Sequence, residues 1–587
     1  MTRKVAIIGS GPTGIYTFAG LVAKGDPLSI IIFEVESDPG KGTPYHPDIN
    51  DQAMLANIAS VELPPIRETL VTWLRRQTDE ELARLNVLRS QIKDREFYPR
   101  VVIGEYLQSQ FSQLIEDGTA NGHSIEVKAA HRVMDIRLRE SDIQVTAKPL
   151  RGDSKEYAYD HVVMATGHNW PETTEIKPGF FISPWPAPCL KSISACPVGI
   201  LGTSLSAIDA LMTVATAHGV FYLDPAGQLQ YRSAAGSEGF RGTLMSRKGL
   251  LPEADFHCDY PYKPLRVCTP QAVDALVQSG AAQLLDRTFV LFKDELAAAD
   301  PEYAASIGLA LLSVETFSDA YFAAREAADP FVWAAENLAE AELNKAIERT
   351  VEWRYAILRM HEVVARVVPH LDEADLKRFN RKLKTVFVDD YATVPHQSIH
   401  RMLALRRAGK LDVLALGDDY SLDTDSVARG AVVTMEGIDD KRISFEAFID
   451  ATGQSALSAR DLPFPSLIEQ GVVKAAATRT AVRVPGLEEE DIVRIGGIDL
   501  DAAFRPIFTE PLCNNLYCAA ISFLLHKLPF VQGLTSAKEI GEIVSSAILG
   551  KDLALGSTIM PIGTAQLHSS RDTMSPTTAM PSLITEQ

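Results

Sequence analysis

VAIIGSGPTG at residues 5–14, with IIIFE at 30–34, decides the fold. Val5 to Ile8 is an unbroken apolar run of strand length, and Gly9, Gly11 and Gly14 follow at the spacing G-x-G-x-x-G. A helix comes next, and the second apolar run, Ile30 to Phe33, ends on Glu34. Strand, tight turn, helix and parallel strand make a dinucleotide-binding unit. Gly9 permits the turn, Gly11 lets backbone N–H groups approach a pyrophosphate at the positive end of the helix, and Gly14 lets helix and strand pack closely. Glu34 stands 20 residues beyond Gly14, where a carboxylate accepts hydrogen bonds from an unphosphorylated adenosine ribose. That suits FAD or NAD and disfavours NADP at this turn.

Working outward, GKGTPYH (40–46) replaces the next helix with a glycine-rich loop that can lie against a ring system without side-chain obstruction. MLANIASVE (54–62) places the polar Asn57 between apolar neighbours before Pro64-Pro65 stops any regular element. Val127 to Leu138 and Ile143 to Ala147 alternate as in a small antiparallel ribbon, and Tyr159 to Gly167 is a buried strand ending in the turn ATG.

A second strand, turn and helix begin at VGILGTSLSAID (198–209), with Ser204 and Ala207 where the second and third glycines would stand. Downstream, Gly242 to Lys248 ends a strand in the adjacent cations Arg247 and Lys248. A 2′-phosphate could be held there, so NADPH is preferred to NADH.

From about Glu295 to Lys384 the chain is rich in Ala, Glu, Leu and Arg, with Ile347, Val351, Tyr355 and Leu358 at helical spacing. This predicts a helical insertion that caps an active site or joins copies of the chain; the pattern does not choose. Phe387 to Arg401 is polar and aromatic, either a pocket wall or a solvated loop. Three apolar runs follow, the last ending in a second ATG at 451–453, and they are expected to bring the chain back to the first domain. Asn515 to Ala520 reads as a closing strand. PFVQGLTSA (529–537) opens an apolar helix whose amides suit the electron-rich edge of a reduced flavin.

The expected class is therefore α/β, with two dinucleotide-binding, Rossmann-like, three-layer domains and a helical insertion. The boundaries are 1–192 for the first part of an FAD-binding domain, 193–292 for an NAD(P)H-binding domain, and 293–384 for the insertion. Residues 385–553 form the second part of the FAD domain and 554–587 a disordered tail.

With 587 residues the chain is too long for one core. Its formal charge of −19 argues against a nucleic-acid partner, since phosphate binding needs a basic face. Six cysteines without C-x-x-C or histidines at zinc spacing read as reduced packing thiols, and no metal is expected. No apolar run is long enough to span a bilayer, and an apolar strand starting at Val5 leaves no room for a leader, so the expected location is cytoplasmic.

Taken together, GSGPTG, Glu34, GKGTPY, the two ATG turns, GTSLSAID and PFVQGLTSA resemble the two-dinucleotide-binding flavoproteins related to class B flavin monooxygenases and amino-acid N-hydroxylases. MLANIASVELPP, FYPRVVIGEYL and DDYATVPHQSIHRMLAL look most like the aspartate N-monooxygenases, or nitrosuccinate synthases.

The resemblance implies tightly bound FAD, NADPH as reductant, and O2 transferred to the amine of a small polar substrate, such as aspartate, through a C4a-(hydro)peroxyflavin. It places Gly9, Gly11, Pro12, Thr13, Gly14, Glu34, Gly42, Thr43, Tyr45, Asn57 and Val133 around FAD, with Gly453, Gly533 and Leu534 closing the site. Thr166 and Gly167 would link the two nucleotide domains, and Gly202, Thr203, Ser204, Ser206 and Arg247 would hold NADPH. Ser204 departs from the glycine of that motif. Asn57, Arg100 and Arg401 are the expected catalytic residues; Lys263, Arg266 and His400 would join the two arginines against substrate carboxylates. Beside this reading stand another FAD/NAD(P)H oxidoreductase that makes no productive use of O2, and a non-catalytic nucleotide-binding partner. Association into a homo-oligomer is compatible with each.

Overall fold

The computed structural model describes all residues except 1, 168–172, 436–440, 454–456, 480–491, 510–511, 532 and 552–587. The tail expected at 554–587 lies outside the described residues.

Two sheets organise the chain. The first has five strands in the order Leu516–Cys518, His161–Met164, Arg3–Ile8, Leu28–Phe33 and Ser124–Lys128, every pair parallel. Ile7 stands opposite Ile32 on one side and Val163 on the other. Val5, Ala6 and Ile7 have no solvent exposure, which is why the run is continuously apolar instead of alternating. A three-stranded antiparallel ribbon, His131–Leu138, Ile143–Pro149 and Lys155–Tyr159, adds the expected extra layer.

The Pro12–Val22 helix packs against Gly533–Leu549 so closely that each surrenders a side chain. A Cβ on Gly541 would lie 2.6 Å from Thr17 N, and one on Gly20 would lie 2.2 Å from Ser545 Oγ. Because residue 17 meets 541 and residue 20 meets 545, the two helices run parallel. Their positive ends therefore face the same way, toward the carboxyl edge of the sheet.

The second sheet has the order Leu411–Ala415, Arg241–Ser246, Pro197–Leu201, Ala447–Asp450, Phe180–Phe181 and Glu175–Lys177. This corrects one expectation: Leu411–Ala415 and Ala447–Asp450 pair in the second sheet, with Arg241–Ser246 and Pro197–Leu201 respectively. The chain rejoins the first sheet only at Leu516–Cys518.

Helices run from Pro270–Gln278 to His396–Arg407, opening ahead of the boundary expected at 293 because Thr269 caps a helix with Pro270 at its start. Their core stacks Phe289, Phe292, Phe317 and Phe387. Phe530, just before the Gly533–Leu549 helix, enters that core against Phe387 and His361 with ring centroids 5.5 and 5.6 Å apart. The helical region thus grips the segment leading into the closing helix.

Gly541→Ala should cost ~1–3 kcal/mol of unfolding free energy, because the added methyl overlaps backbone that cannot retreat. Glu542→Ala, on the exposed side of the same helix, should stay within about 0.5 kcal/mol. Denaturant titration of both variants checks this, and equal effects would show that the helices are not in register as described.

Candidate functional site

At the first turn, backbone takes the space that side chains would need. A Cβ on Gly14 would stand 2.2 Å from the Gly9 carbonyl oxygen, and one on Gly9 would stand 2.3 Å from the Ala165 oxygen. Gly42, at φ +78°, brings the 40–46 loop over the helix start; its Cβ would come within 2.8 Å of both Gly11 Cα and Pro12 Cδ. Pro12 is the first helical residue, and Thr13 is buried one residue later.

Glu34 is 9% exposed. Its Oε2 accepts from the Ser10 N–H at 2.8 Å and the Ser10 hydroxyl at 2.6 Å, and its Oε1 from Glu36 N–H at 3.1 Å. Ser10 Oγ also accepts from Gly40 N–H at 2.9 Å, so this one side chain ties the glycine turn, the acid and the second loop together. Sequence reading passed over Ser10, although its place between two motif glycines was the available signal.

Around this turn, Thr43 and Tyr45 form a short 3-10 turn, with Tyr45 buried and its hydroxyl pushed up to about 12 by burial. Asn57 is half-buried, and its Oδ1 is enclosed without a hydrogen-bond partner among the described residues. A buried acceptor left unpaired costs about 1–3 kcal/mol, so a ligand donor there would be stabilising. The Tyr16 hydroxyl donates to the Pro64 carbonyl at 2.5 Å and ties the Asn57 segment to the first helix. Val133 is half-buried in the ribbon against the same core. Half-buried Thr166 and exposed Gly167 follow the Ala165 carbonyl, and Gly167 accepts from the Ser522 hydroxyl at 3.3 Å. Leu534 is fully buried beside exposed Gly533, which has φ +68°. A glycine cradle, a buried acid at the ribose position and an enclosed unpaired amide oxygen together fit FAD.

The second turn repeats the first. Gly202, at φ +124°, donates its N–H to the Met245 carbonyl at 2.6 Å, and its Cβ would come 2.9 Å from the Ala451 oxygen. Each ATG turn therefore packs on the glycine turn of its own sheet, Ala165 on Gly9 and Ala451 on Gly202. Gly453 accordingly stands beside the second turn and not, as expected, at the first. Ser204 precedes the Leu205–Ala217 helix without a side-chain cap bond, and Ser206 is half-buried within its first turn. Thr203, Ser204 and Arg247 form one wall of a cavity of about 610 Å³; Phe322, Arg325 and Thr385 of the helical region form another.

Four of the five cations expected against a substrate, Arg100, Arg401, Lys263 and His400, are already engaged. Arg100 Nη2 donates to buried Asp209 at 2.6 Å, joining the Arg100–Ala120 helix to Leu205–Ala217; burial raises the Asp209 carboxyl to about 6 despite that contact. Arg401 donates to the Ala53 carbonyl at 2.9 Å, and burial lowers its pKa. Lys263 pairs with Asp259 on the surface, Arg266 is exposed, and His400 Nε2 lies 2.7 Å from Glu342 Oε1.

Two carboxyl groups that sequence reading missed titrate well above the ordinary carboxylate range. Glu539, in the second turn of the closing helix, is exposed by surface area, yet desolvation and then the charge of Glu362 raise it to about 7. Desolvation raises Glu362, on the Glu352–Ala365 helix, to about 7 as well.

Among known families, a model described as FAD-NAD(P)-binding matches residues 6–169, and one described as YdhS-like middle domain matches 269–391. YdhS of Escherichia coli (strain K12) is 41% identical over 547 residues, covering 93% of this chain and 97% of that protein. Among solved structures, the ornithine N-hydroxylase of Kutzneria sp. 744 superposes with a TM-score of 0.47 at 13% identity, over 94% of this chain and 99% of that one. The desferrioxamine-pathway cadaverine monooxygenase of Erwinia amylovora gives 0.47 at 12%, over 99% and 100%. Aligned with YdhS along nearly the whole length of both proteins, the chain belongs to the YdhS family and carries an FAD-NAD(P)-binding domain followed by a YdhS-like middle domain.

Proposed function

We propose that the protein is an FAD-dependent, NADPH-consuming monooxygenase that hydroxylates the amine of a small polar substrate. The observation that carries the reading is the pair of glycine turns, one per sheet: the first is built around the acid Glu34 and the second opens on a cation-lined cavity. Two dinucleotides of different ribose chemistry are what such a pair accommodates. Bound at the first turn, FAD would supply hydride acceptance from NADPH and the reaction of its reduced ring with O2.

The chain's own residues place and insulate that chemistry. The Gly9, Gly14 and Gly42 contacts set the pyrophosphate against the helix start, and the parallel Pro12–Val22 and Gly533–Leu549 helices aim two positive ends at the cofactor edge. Asn57 Oδ1, without a partner among the described residues, would accept a hydrogen bond from the bound cofactor or substrate. An amine arrives as ammonium and must lose a proton before it can attack, and carboxylates at about 7 are suited to take it. We assign Glu539 that role, with Glu362 sharing the proton. Aspartate would have drawn support from free cations near Asn57. Arg100, Arg401, Lys263 and His400 are engaged elsewhere, so the amine is kept and its identity is left to assay.

The test is NADPH oxidation by the purified holoenzyme against a panel of amino acids and diamines under ¹⁸O2. One amine should accelerate NADPH consumption and return as an ¹⁸O-labelled hydroxylamine. Equal consumption with every amine and label only in hydrogen peroxide would contradict oxygenation and favour a reductase. Gly42→Ala, strained at positive φ and overlapping Gly11 and Pro12, should yield protein with FAD occupancy reduced by about tenfold or more; a fully yellow variant would refute the cradle. Because a base works only when ionised, activity should rise as pH increases through about 7. Glu539→Gln should flatten that rise and lower the rate by roughly a hundredfold; an unchanged pH profile in the variant would remove Glu539 from the chemistry.

A further inference from the structure

We propose that Arg381, contributed by the middle domain, reads the 2′-phosphate of NADPH and so makes that domain the part of the enzyme that chooses between NADPH and NADH. The inference rests on the reading above that the second glycine turn binds a nicotinamide dinucleotide.

In a dinucleotide-binding sheet, the strand beside the glycine-turn strand ends next to the 2′-oxygen of the adenosine ribose. Here that neighbour is Arg241–Ser246, parallel to Pro197–Leu201, and it runs directly into Arg247 and Lys248 on the cavity wall. The same cavity of about 610 Å³ is closed from the other side by the middle domain.

Its lining holds five cations, Arg247, Lys248, Arg325, Arg381 and Lys382, and four carboxylates. Four of the cations are already matched. Arg247 lies 3.7 Å from Asp418, Arg325 donates to Asp389 at 2.8 Å, Lys382 lies 3.5 Å from Asp319, and Lys248 pairs with Glu326. Arg381 has no carboxylate at ion-pair distance among the described residues, so the cavity carries one uncompensated positive charge, and it sits on the middle domain. A guanidinium is the group that grips a phosphate through two parallel hydrogen bonds.

The local backbone explains why this arginine is presented there. Phe379–Leu383 is a single π-helical turn, and both ends of it, Phe379 and Leu383, are fully buried in the helical core. The wider turn anchors residues 379 and 383 while Arg381 and Lys382 between them face the cavity. Arg381 is held by its neighbours and remains free at its charged end.

Calorimetric titration of the full-length holoenzyme with 2′,5′-ADP and with 5′-AMP tests this without any turnover. Wild type should bind 2′,5′-ADP more tightly than 5′-AMP. Arg381→Ala should weaken 2′,5′-ADP by about tenfold or more while moving 5′-AMP by less than about twofold, and Arg381→Lys should recover part of the loss. Lys382→Ala, which removes an ammonium already paired with Asp319, should have the smaller effect. Thermal melts of each variant matching wild type exclude a folding defect. If Arg381→Ala keeps the wild-type preference for 2′,5′-ADP, the assignment of Arg381 is overturned while the second nucleotide site stands. If wild type binds neither ligand, and NADP⁺ does not bind either, the second site itself is refuted and this inference falls with it.

Discussion

The Gly9 carbonyl oxygen passes through the space that a side chain on residue 14 would occupy, at 2.2 Å from its Cβ position. Everything else in the first domain follows from that contact. It presses the Pro12–Val22 helix onto its strand, points the free N–H groups of the helix at one place, and leaves Glu34 at the end of the neighbouring strand within reach of the same turn. The 40–46 loop can close over this turn because residue 42 is glycine: a Cβ there would stand 2.8 Å from Gly11 Cα and Pro12 Cδ. The second sheet uses the same device less tightly: Ala207 takes the third motif position, with its Cβ 3.3 Å from where one on Gly202 would stand.

The helical region packs against both of these units. It packs Phe530 into its own aromatic core immediately before the closing helix, and it supplies the far wall of the cavity facing the second turn. The helical region therefore meets both units, near the start of Gly533–Leu549 and near Arg247. Buried charge marks the same seam. Glu253 and Arg354, both nearly inaccessible, pair with each other, while Arg325 donates to Asp389. Breaking one member of such a network leaves an unpaired buried charge, so the domains are held in a specific relation and not merely near each other.

Much of the first domain was legible in the sequence because its constraints are local. Gly14 answers to the carbonyl of Gly9, five residues back, and Glu34 closes the same βαβ unit. The destination of Ala447–Asp450 was not legible. Its apolar run and terminal ATG are locally the same as those of His161–Met164, and only long-range pairing with Pro197–Leu201 assigns it to the second sheet. The substrate-facing cations were misjudged for a related reason. The partner that occupies Arg100 is Asp209, 109 residues away, and no spacing rule reports such a pair. Glu539 and Glu362 escaped notice because a helix glutamate has no sequence signature; desolvation in the folded chain, and for Glu539 the charge of Glu362, is what raises them. Arg381 was hidden inside a helical stretch whose π turn leaves no trace in composition.

Under the proposed function, two dinucleotide sites on one chain serve one hydride transfer, from NADPH to FAD. Mixing the purified, FAD-loaded protein with NADPH in the absence of oxygen tests it most directly, by following the yellow absorbance of the flavin. The account predicts that the colour bleaches rapidly and in proportion to the NADPH added. A chain that binds no flavin, or whose bound flavin stays oxidised before excess NADPH, would contradict it.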